Sequence, residues 1–293
     1  MKYLGFAFLA VVILGAIFAL RVAASSYLAE RSDFIRWPPA DISKHPERTG
    51  INGLHEVSFP GPNALRLAGW AVPSRNRAAV VLVHGTNTDR SSTLDELRLL
   101  SDAGFGVLAF DLPGQGASTG HSRWGAAERQ SISAAVEWLL TQPDVDPARI
   151  GAMGISMGGY LLIQAAATDT RIRGVVLSAA PADVVEQTRY ASNRWGRLSE
   201  IPAYWALQAS GMPVREMPPL EIIRNISPRA VLILGGTLDK IVPEYMARQL
   251  YQCAGDPKEL WIVSGAHHVD FSRVVPEEYR RRLVDFFGRT LLN

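Results

Sequence analysis

The amino-acid sequence predicts an α/β fold, built on a mostly parallel sheet with helices on both faces. From Leu54 onward, short β-branched runs alternate with amphipathic helical patterns, which is typical of such a sheet. The run 78–83 is apolar at every position, as expected of a central strand that is buried on both faces. With 293 residues and 47% hydrophobic residues, the chain can form one substantial core.

Eight strands are expected in this sheet, within a domain that covers residues 51–293. The first two form an antiparallel pair around a Pro-Gly-Pro-Asn turn at residues 60–63. The predicted strands cover residues 55–59, 65–71, 78–83, 106–110, 150–155, 172–179, 230–234 and 259–263. The predicted helices cover residues 93–103, 125–141, 157–167 and 276–291.

An apolar segment precedes this domain. Residues 3–20 are an unbroken run of apolar residues and glycines between Lys2 and Arg21. As a helix the run would be about 27 Å long, close to the ~30 Å hydrocarbon thickness of a bilayer. We therefore predict a single-pass transmembrane anchor over residues 1–22, followed by a spacer over residues 23–50.

Two other interpretations of the apolar segment stay open. A secretory signal peptide competes, because Val-Ala-Ala at residues 22–24 is a tolerable cleavage site, and the protein would then be secreted or periplasmic. A buried helix of the soluble domain is less favoured, since the run has no polar face. The orientation in the membrane is open as well, because basic residues flank the run on both sides.

The alternation of strands and helices breaks between residues 183 and 227. This insertion is rich in aromatic residues and methionines, so it is too apolar for a linker. We predict a small helical cap over the edge at which the strands end, where open sheets bind ligands and often carry lids. The alternative is an irregular surface excursion with its own minor core.

The motif Gly-Ile-Ser-Met-Gly-Gly at residues 154–159 carries the chemistry. A predicted strand precedes Ser156 and a predicted helix follows it, so the serine lies on a tight turn. Gly154 and Gly158 are small enough to avoid a collision at such a nucleophile elbow. The N-terminus of the following helix favours a developing negative charge. The motif therefore predicts Ser156 as a nucleophile, against the alternative of a glycine-rich turn without a catalytic role.

A serine hydroxyl needs a base near neutral pH, and the base needs an orienting carboxylate. In the chain order serine, acid, histidine, the candidate acid is Asp239, in the loop after the strand 230–234. Asp183, after the preceding strand, is the reserve candidate. Asp111 also ends a strand, but it precedes the serine and is expected to fix its own loop.

The candidate base follows the last predicted strand. His267 and His268 are adjacent there, and only one of them can point toward the serine. Two preorganised N–H groups must also hold the oxyanion. We assign these to the backbone of Met157, directly after the nucleophile, and of Thr86, in the turn after a central strand. His84 in the same turn is expected to brace that loop.

Together these motifs resemble those of α/β-hydrolases. The residues that carry the resemblance are His84-Gly85, the segments 110–118 and 154–159, Asp239, and Gly-Ala-His-His at 265–268. More narrowly, residues 52–293 look like the serine aminopeptidase and prolyl-oligopeptidase-like group of bacterial hydrolases, some of which carry an N-terminal anchor. In this group the base usually follows a Gly-Ala-x-His pattern, so the resemblance selects His268 as the base.

The resemblance implies an α/β-hydrolase fold and acyl transfer to water through a triad of Ser156, His268 and Asp239. The implied substrate is a carboxylic ester, a thioester or an amide. The apolar cap and the predicted anchor, rather than the resemblance, suggest a hydrophobic acyl or alcohol group, so a small-molecule or lipid-like ester is expected. Epoxide hydrolases and dehalogenases carry aspartate where this chain has Ser156, which argues against both. The loop 86–91 lacks the repeated glycines of His-Gly-Gly-Gly lipases, which argues against that subgroup.

Three alternatives to an esterase stay open: a serine peptidase or aminopeptidase on short peptides, an acyltransferase, and a catalytically silent, membrane-tethered binding protein. No cofactor or metal is expected, because the sequence has no zinc-spaced Cys/His cluster, phosphate-binding loop or dinucleotide fingerprint. The net charge of +2, without a basic run, gives nucleic-acid binding little support. Cys253 is the single cysteine, so no internal disulfide is possible.

Overall fold

The computed structural model describes residues 2–32 and 36–293, with side chains from residue 12 onward. Eight strands of the described residues form one sheet: β1 (His55–Pro60), β2 (Arg66–Val72), β3 (Ala79–Val83), β4 (Gly106–Phe110), β5 (Ile150–Ile155), β6 (Ile172–Ser178), β7 (Ala230–Gly236) and β8 (Lys258–Val263). Their order is β1-β2-β4-β3-β5-β6-β7-β8. β2 runs antiparallel to β1 and β4, and the other pairs are parallel. The predicted eight-stranded, mostly parallel sheet is therefore confirmed.

Helices accompany this sheet along the whole described chain. They are α1 (Lys2–Ser32), α2 (Leu94–Asp102), α3 (Ala126–Leu140), α4 (Met157–Thr168), α5 (Val184–Ser192), α6 (Arg197–Ala209), α7 (Pro219–Ile222), α8 (Glu244–Cys253), α9 (Phe271–Val274) and α10 (Pro276–Leu291). Short 3₁₀ turns span Ile42–Lys44, Pro46–Thr49, Pro62–Ala64, Arg90–Thr93, Asn193–Trp195 and Ile223–Ile226.

The core has two layers, one on each face of the sheet. Successive side chains of a strand point to opposite faces, so β3 contributes to both layers. Val81 and Val83 pack in the layer that contains buried residues of α3, α4 and α8. Val80 and Leu82 pack in the layer that contains buried residues of α2 and α10. Burial on both faces explains why this strand is apolar at every position.

Strand β7 and helix α8 differ from the sequence-based expectation. β7 continues for two residues past 234, because Gly235 and Gly236 still pair with Ile262 and Val263 of β8. Glycine is depleted in strands, which is why the pattern appeared to end earlier. Helix α8 was not predicted, although its sequence is amphipathic and buries one face against the sheet.

Helix α1 extends past residue 22, where the predicted anchor ends, and includes residues 23–32 of the predicted spacer. Its last turns are held against the insertion: Arg31 Nη1 donates to the carbonyl oxygen of Ala209 at 3.1 Å, and Thr188 Oγ1 donates to Glu30 Oε1 at 3.0 Å. The insertion forms the helices α5, α6 and α7. Met1 and residues 33–35 lie outside the described residues.

The N-terminal helix is long and apolar enough to cross a membrane, judged by length and composition. The segment Val12–Ser32 has a mean hydropathy of 1.8, and Val22 is its one buried residue. A signal sequence meets the same criterion, so these properties alone support a candidate span.

Candidate active site

Ser156 joins β5 to α4 through a turn with φ 53° and ψ −117°. A non-glycine residue rarely adopts such a conformation, which is typical of a nucleophile elbow. A Cβ on Gly154 would lie 2.4 Å from the carbonyl oxygen of Gly158, and a Cβ on Gly158 would lie 2.2 Å from the carbonyl oxygen of Val83. Both positions therefore require glycine, and at Gly158 the reason is the close approach of β3.

The imidazole of His268 lies between Ser156 and Asp239. Its Nε2 is 3.0 Å from Ser156 Oγ, and its Nδ1 is 2.7 Å from Asp239 Oδ2. Asp239 follows β7 and His268 follows β8, so neighbouring parallel strands bring both residues to the carboxyl edge of the sheet. The Asp239 side chain is fully buried, whereas that of His268 is 17% exposed. The structure thus brings the three predicted residues into one hydrogen-bonded chain.

The other candidates have different partners. Asp183 accepts hydrogen bonds from the backbone N–H groups of Val185 and Glu186, so its carboxylate caps α5. His267 is exposed, and its side chain makes no hydrogen bond within the described residues. The geometry therefore places neither Asp183 nor His267 in the series of hydrogen bonds that ends at Ser156.

The loop after β3 lies against the serine. A Cβ on Gly85 would be 3.4 Å from Ser156 Cβ, and Thr86 lines the cavity at Ser156. Met157 is the first residue of α4, so its N–H has no intrahelical acceptor and is free to meet an anion. The two backbone groups assigned to the oxyanion thus belong to segments that meet at Ser156.

His84 connects this loop to the loop after β4. Its Nδ1 is 2.7 Å from the carbonyl oxygen of Gly85, and its Nε2 accepts from the N–H of Leu112 at 3.0 Å. Burial lowers the pKa of His84, and the neutral ring with a proton on Nδ1 satisfies both bonds. His84 is therefore placed to brace the loop that carries Thr86.

Arg90 and Asp111 form a buried ion pair between the segments that follow β3 and β4, and sequence reasoning singled out only Asp111. Asp111 accepts from the backbone N–H and the guanidinium of Arg90, and also from the N–H of Ala117 at 2.8 Å. Arg90 lies 4.9 Å above the ring of Trp70. Burial raises the pKa of Asp111 although Arg90 opposes that shift. Asp111 fixes its own loop, as expected, but sequence reasoning missed its partner Arg90.

A cavity of about 500 Å³ opens at Ser156. Its apolar walls include Trp124, Ile155, Pro181, Ile241 and Val269, and α5 contributes Gln187. Asp95, Glu96 and Ser272 form a polar end that sequence reasoning missed. Within the described residues, no three His, Cys, Asp or Glu side chains are grouped in a way that could hold a metal ion.

Comparisons with known proteins agree with this fold. The model of the prolyl oligopeptidase family matches residues 91–293. An uncharacterized protein of Mycobacterium tuberculosis is 30% identical over 243 residues, which cover 78% of this chain and 79% of that protein. A polyketide transferase of Penicillium is 25% identical over 80% of this chain and 96% of that protein. The solved esterase of Pyrococcus furiosus superimposes with a TM-score of 0.74 and 23% identity, over 88% of this chain and 100% of that one.

Proposed function

The chain belongs to the prolyl oligopeptidase family of α/β-hydrolases, and on that premise we propose that it is a serine hydrolase that cleaves carboxylic esters through Ser156, His268 and Asp239. The observation that carries the proposal is the chain of hydrogen bonds from Asp239 through His268 to Ser156 Oγ, at the floor of the cavity. A nucleophile, a base and an orienting carboxylate in this geometry are what acyl transfer needs.

The proposed reaction has two stages. Because Asp239 accepts a hydrogen bond from Nδ1–H of His268, Nε2 is left unprotonated and takes the proton of Ser156 as Oγ attacks the ester carbonyl. The N–H groups of Met157 and Thr86 stabilise the tetrahedral oxyanion. His268 then gives its proton to the leaving alcohol. Water deprotonated by the same imidazole attacks the acyl-enzyme, and the acid is released as Ser156 regains its proton.

The walls of the cavity favour an ester over a peptide. Recognition of a free amino terminus needs an ionised carboxylate, and the acids that line the cavity already have partners. Glu96 Oε1 accepts from the hydroxyl of Tyr279 at 2.6 Å, and Asp95 Oδ2 accepts from Ser272 at 2.7 Å. Burial also raises the pKa of Glu96, which favours its neutral form. The apolar walls are better suited to an acyl chain.

Acyl transfer to an alcohol is a second candidate, because a relative of similar length is named a polyketide transferase. The same acyl-enzyme would then react with an acceptor alcohol in place of water. Added alcohols would divert the acyl group from acid to a new ester if this candidate applies.

We further propose that α1 is a retained anchor. Cleavage after residue 24 would remove most of the helix, including Phe18, Arg21 and Val22, which line a groove against the insertion. These contacts favour a helix that remains part of the folded protein.

The test is to treat the purified full chain with a fluorophosphonate probe and with p-nitrophenyl esters of several chain lengths. We expect labelling and turnover in the wild type, and neither in Ser156→Ala. Ser264→Ala is the matched control, since this exposed serine lies four residues before His268 and outside the cavity. A folded wild type that neither labels nor turns over would favour the silent binding protein instead.

A further inference from the structure

The exposed large apolar side chains of the described residues are concentrated in a few elements. Seven of the seventeen lie on α1, four lie in the segments that follow β7 and β8 near the cavity, and one is Trp37. The other five lie on the insertion: Tyr190, Trp195, Leu198, Ile201 and Trp205. Exposed apolar side chains in such a concentration mark an interaction surface.

Helices α1 and α6 lie side by side and run in the same direction. At one end the rings of Phe18 and Trp195 meet edge to face, with centroids 5.1 Å apart. At the other end Arg31 donates to the carbonyl oxygen of Ala209. Trp195 therefore lies level with the end of the apolar run, and about 24 Å of α1 continues beyond it toward residue 2.

Three arginines lie close to this level. Arg21 follows the apolar run on α1, and Arg194 and Arg197 flank Trp195, with Arg194 stacked 5.9 Å from the Trp195 ring centroid. All three are exposed, and none has a carboxylate oxygen within 4.0 Å in the described part of the chain. Tryptophan is enriched where proteins meet the membrane–water interface, and arginines without acidic partners attract anionic headgroups. This cluster of side chains therefore suits contact with an anionic lipid surface.

A groove beside this surface adjoins the cavity at the proposed nucleophile. Its volume is about 770 Å³, and it lies between α1, through Phe18 and Val22, and the insertion, through Trp195. Gln187 and Ile241 line both the groove and the cavity at Ser156. Gln187 Nε2 donates to the carbonyl oxygen of Ile241 at 3.4 Å, so one weak contact lies where the two spaces adjoin.

We propose that the Trp195 end of α6 contacts an anionic lipid surface, and that the groove between α1 and the insertion admits an acyl chain of a membrane phospholipid to Ser156. This inference rests on the proposed function and gives it a substrate class. Ser156 Oγ would attack the acyl ester carbonyl, and the lysophospholipid would leave as an alcohol with a proton from His268. Water would then release the fatty acid.

The test uses the full chain in nanodiscs of phosphatidylcholine with phosphatidylglycerol, and compares hydrolysis of the disc phospholipid with that of soluble p-nitrophenyl acetate. Trp195→Ser is expected to lower phospholipid hydrolysis by about tenfold and to change acetate hydrolysis less than about twofold. Trp205→Ser is the matched control, because Trp205 is also an exposed tryptophan of the insertion but lies on α6, about 12 Å along the helix axis from the end that the proposal places at the lipid surface. It should change neither activity by more than about twofold.

A second variant tests the groove itself. Ala191 is exposed on α5 and lines the groove but not the cavity, so Ala191→Trp narrows the groove alone. We expect phospholipid hydrolysis to fall by about tenfold with acetate turnover retained.

Several results would overturn this inference. One is an equal loss of phospholipid hydrolysis in Trp195→Ser and Trp205→Ser. A second is unchanged phospholipid hydrolysis in both Trp195→Ser and Ala191→Trp. A third is a parallel loss of phospholipid and acetate hydrolysis in these two variants. A wild type that cleaves acetate but no phospholipid would also overturn it and would leave the proposed function intact. A wild type that cleaves neither and resists the fluorophosphonate would instead contradict the proposed function.

Discussion

The carboxylate of Asp239 holds the imidazole of His268 by a 2.7 Å hydrogen bond between Oδ2 and Nδ1. The other oxygen of Asp239 accepts from the N–H groups of Ile241 and Val242, each at 2.8 Å. These backbone hydrogen bonds hold the carboxylate in the position from which it orients the imidazole ring. This arrangement presents the lone pair of Nε2 to Ser156, provided that Asp239 is the acid.

Replacement of Asp239 tests this assignment. Asp239→Asn keeps the shape but offers an amide that no longer selects the proton on Nδ1, so kcat on p-nitrophenyl esters should fall by about 10⁴-fold. Asp183→Ala should leave kcat near that of the wild type and lower the free energy of unfolding by about 1 kcal/mol, because it removes the cap of α5. Activity lost in Asp183→Ala and kept in Asp239→Asn would move the acid to the loop after β6.

The two adjacent histidines provide a second test. His268→Gln removes the proposed base and should reduce kcat by at least about 10⁴-fold, with the melting temperature close to that of the wild type. His267→Gln changes an exposed side chain and should keep at least about half of the activity. Steady-state kinetics of both variants, with circular dichroism as a check of folding, decide between them. Equal losses would show that both imidazoles are needed.

Local patterns in the sequence predicted much of this molecule. The strands and the elbow at Ser156 could be predicted, because apolar periodicity and the turn glycines depend on neighbouring residues. Chain order and a position in the loop after a predicted strand were enough to suggest Asp239, with Asp183 left in reserve. The choice of His268 came from a family resemblance, since spacing cannot say which of two adjacent side chains faces the serine.

The missed features depend on residues that are distant in sequence. Tyr279 and Glu96 are 183 residues apart, Arg31 and Ala209 are 178 apart, and their contacts form only in the folded chain. No periodicity in one segment reports such a partner. Gly158 shows the same limit: the need for a small residue was predicted, but the approach of β3 was not.

The elbow gives a prediction for stability. Gly158→Ala places a methyl group about 2.2 Å from the carbonyl oxygen of Val83, and backbone on both sides must shift. We expect a loss of about 1–3 kcal/mol or more in the free energy of unfolding, with loss of labelling by the fluorophosphonate. Gly288→Ala is the control, because Gly288 lies inside α10 with open space around it, and should stabilise the protein by about 0.5–1 kcal/mol. Urea unfolding measures the free energy of unfolding of both variants. An unchanged value in Gly158→Ala would contradict the close packing of β3 against this turn.

The buried pair of Arg90 and Asp111 gives another prediction. Asp111→Ala leaves the guanidinium of Arg90 buried without its main partner and should cost about 3–5 kcal/mol in the free energy of unfolding. Glu216→Ala removes an exposed partner of Arg129 and should cost less than about 1 kcal/mol. Chemical denaturation of the two variants compares the pairs directly. If Asp111→Ala lowers the free energy of unfolding less than Glu216→Ala does, water reaches Arg90 when Asp111 is absent.

The buried carboxyl of Glu96 predicts how stability depends on pH. Burial raises its pKa in the folded protein above the value of the unfolded chain, so the folded state keeps a proton that the unfolded state releases. The resulting stability is present below the unfolded pKa and is lost as the pH rises through the folded one. Glu96→Gln keeps an acceptor for the Tyr279 hydroxyl and cannot ionise. As the pH rises, its free energy of unfolding should therefore increase relative to that of the wild type. Glu277→Gln, at an exposed position on α10, should follow the wild-type profile. Denaturation from about pH 5 to about pH 8 measures the difference, and parallel profiles for Glu96→Gln and the wild type would mean that Glu96 titrates alike in both states.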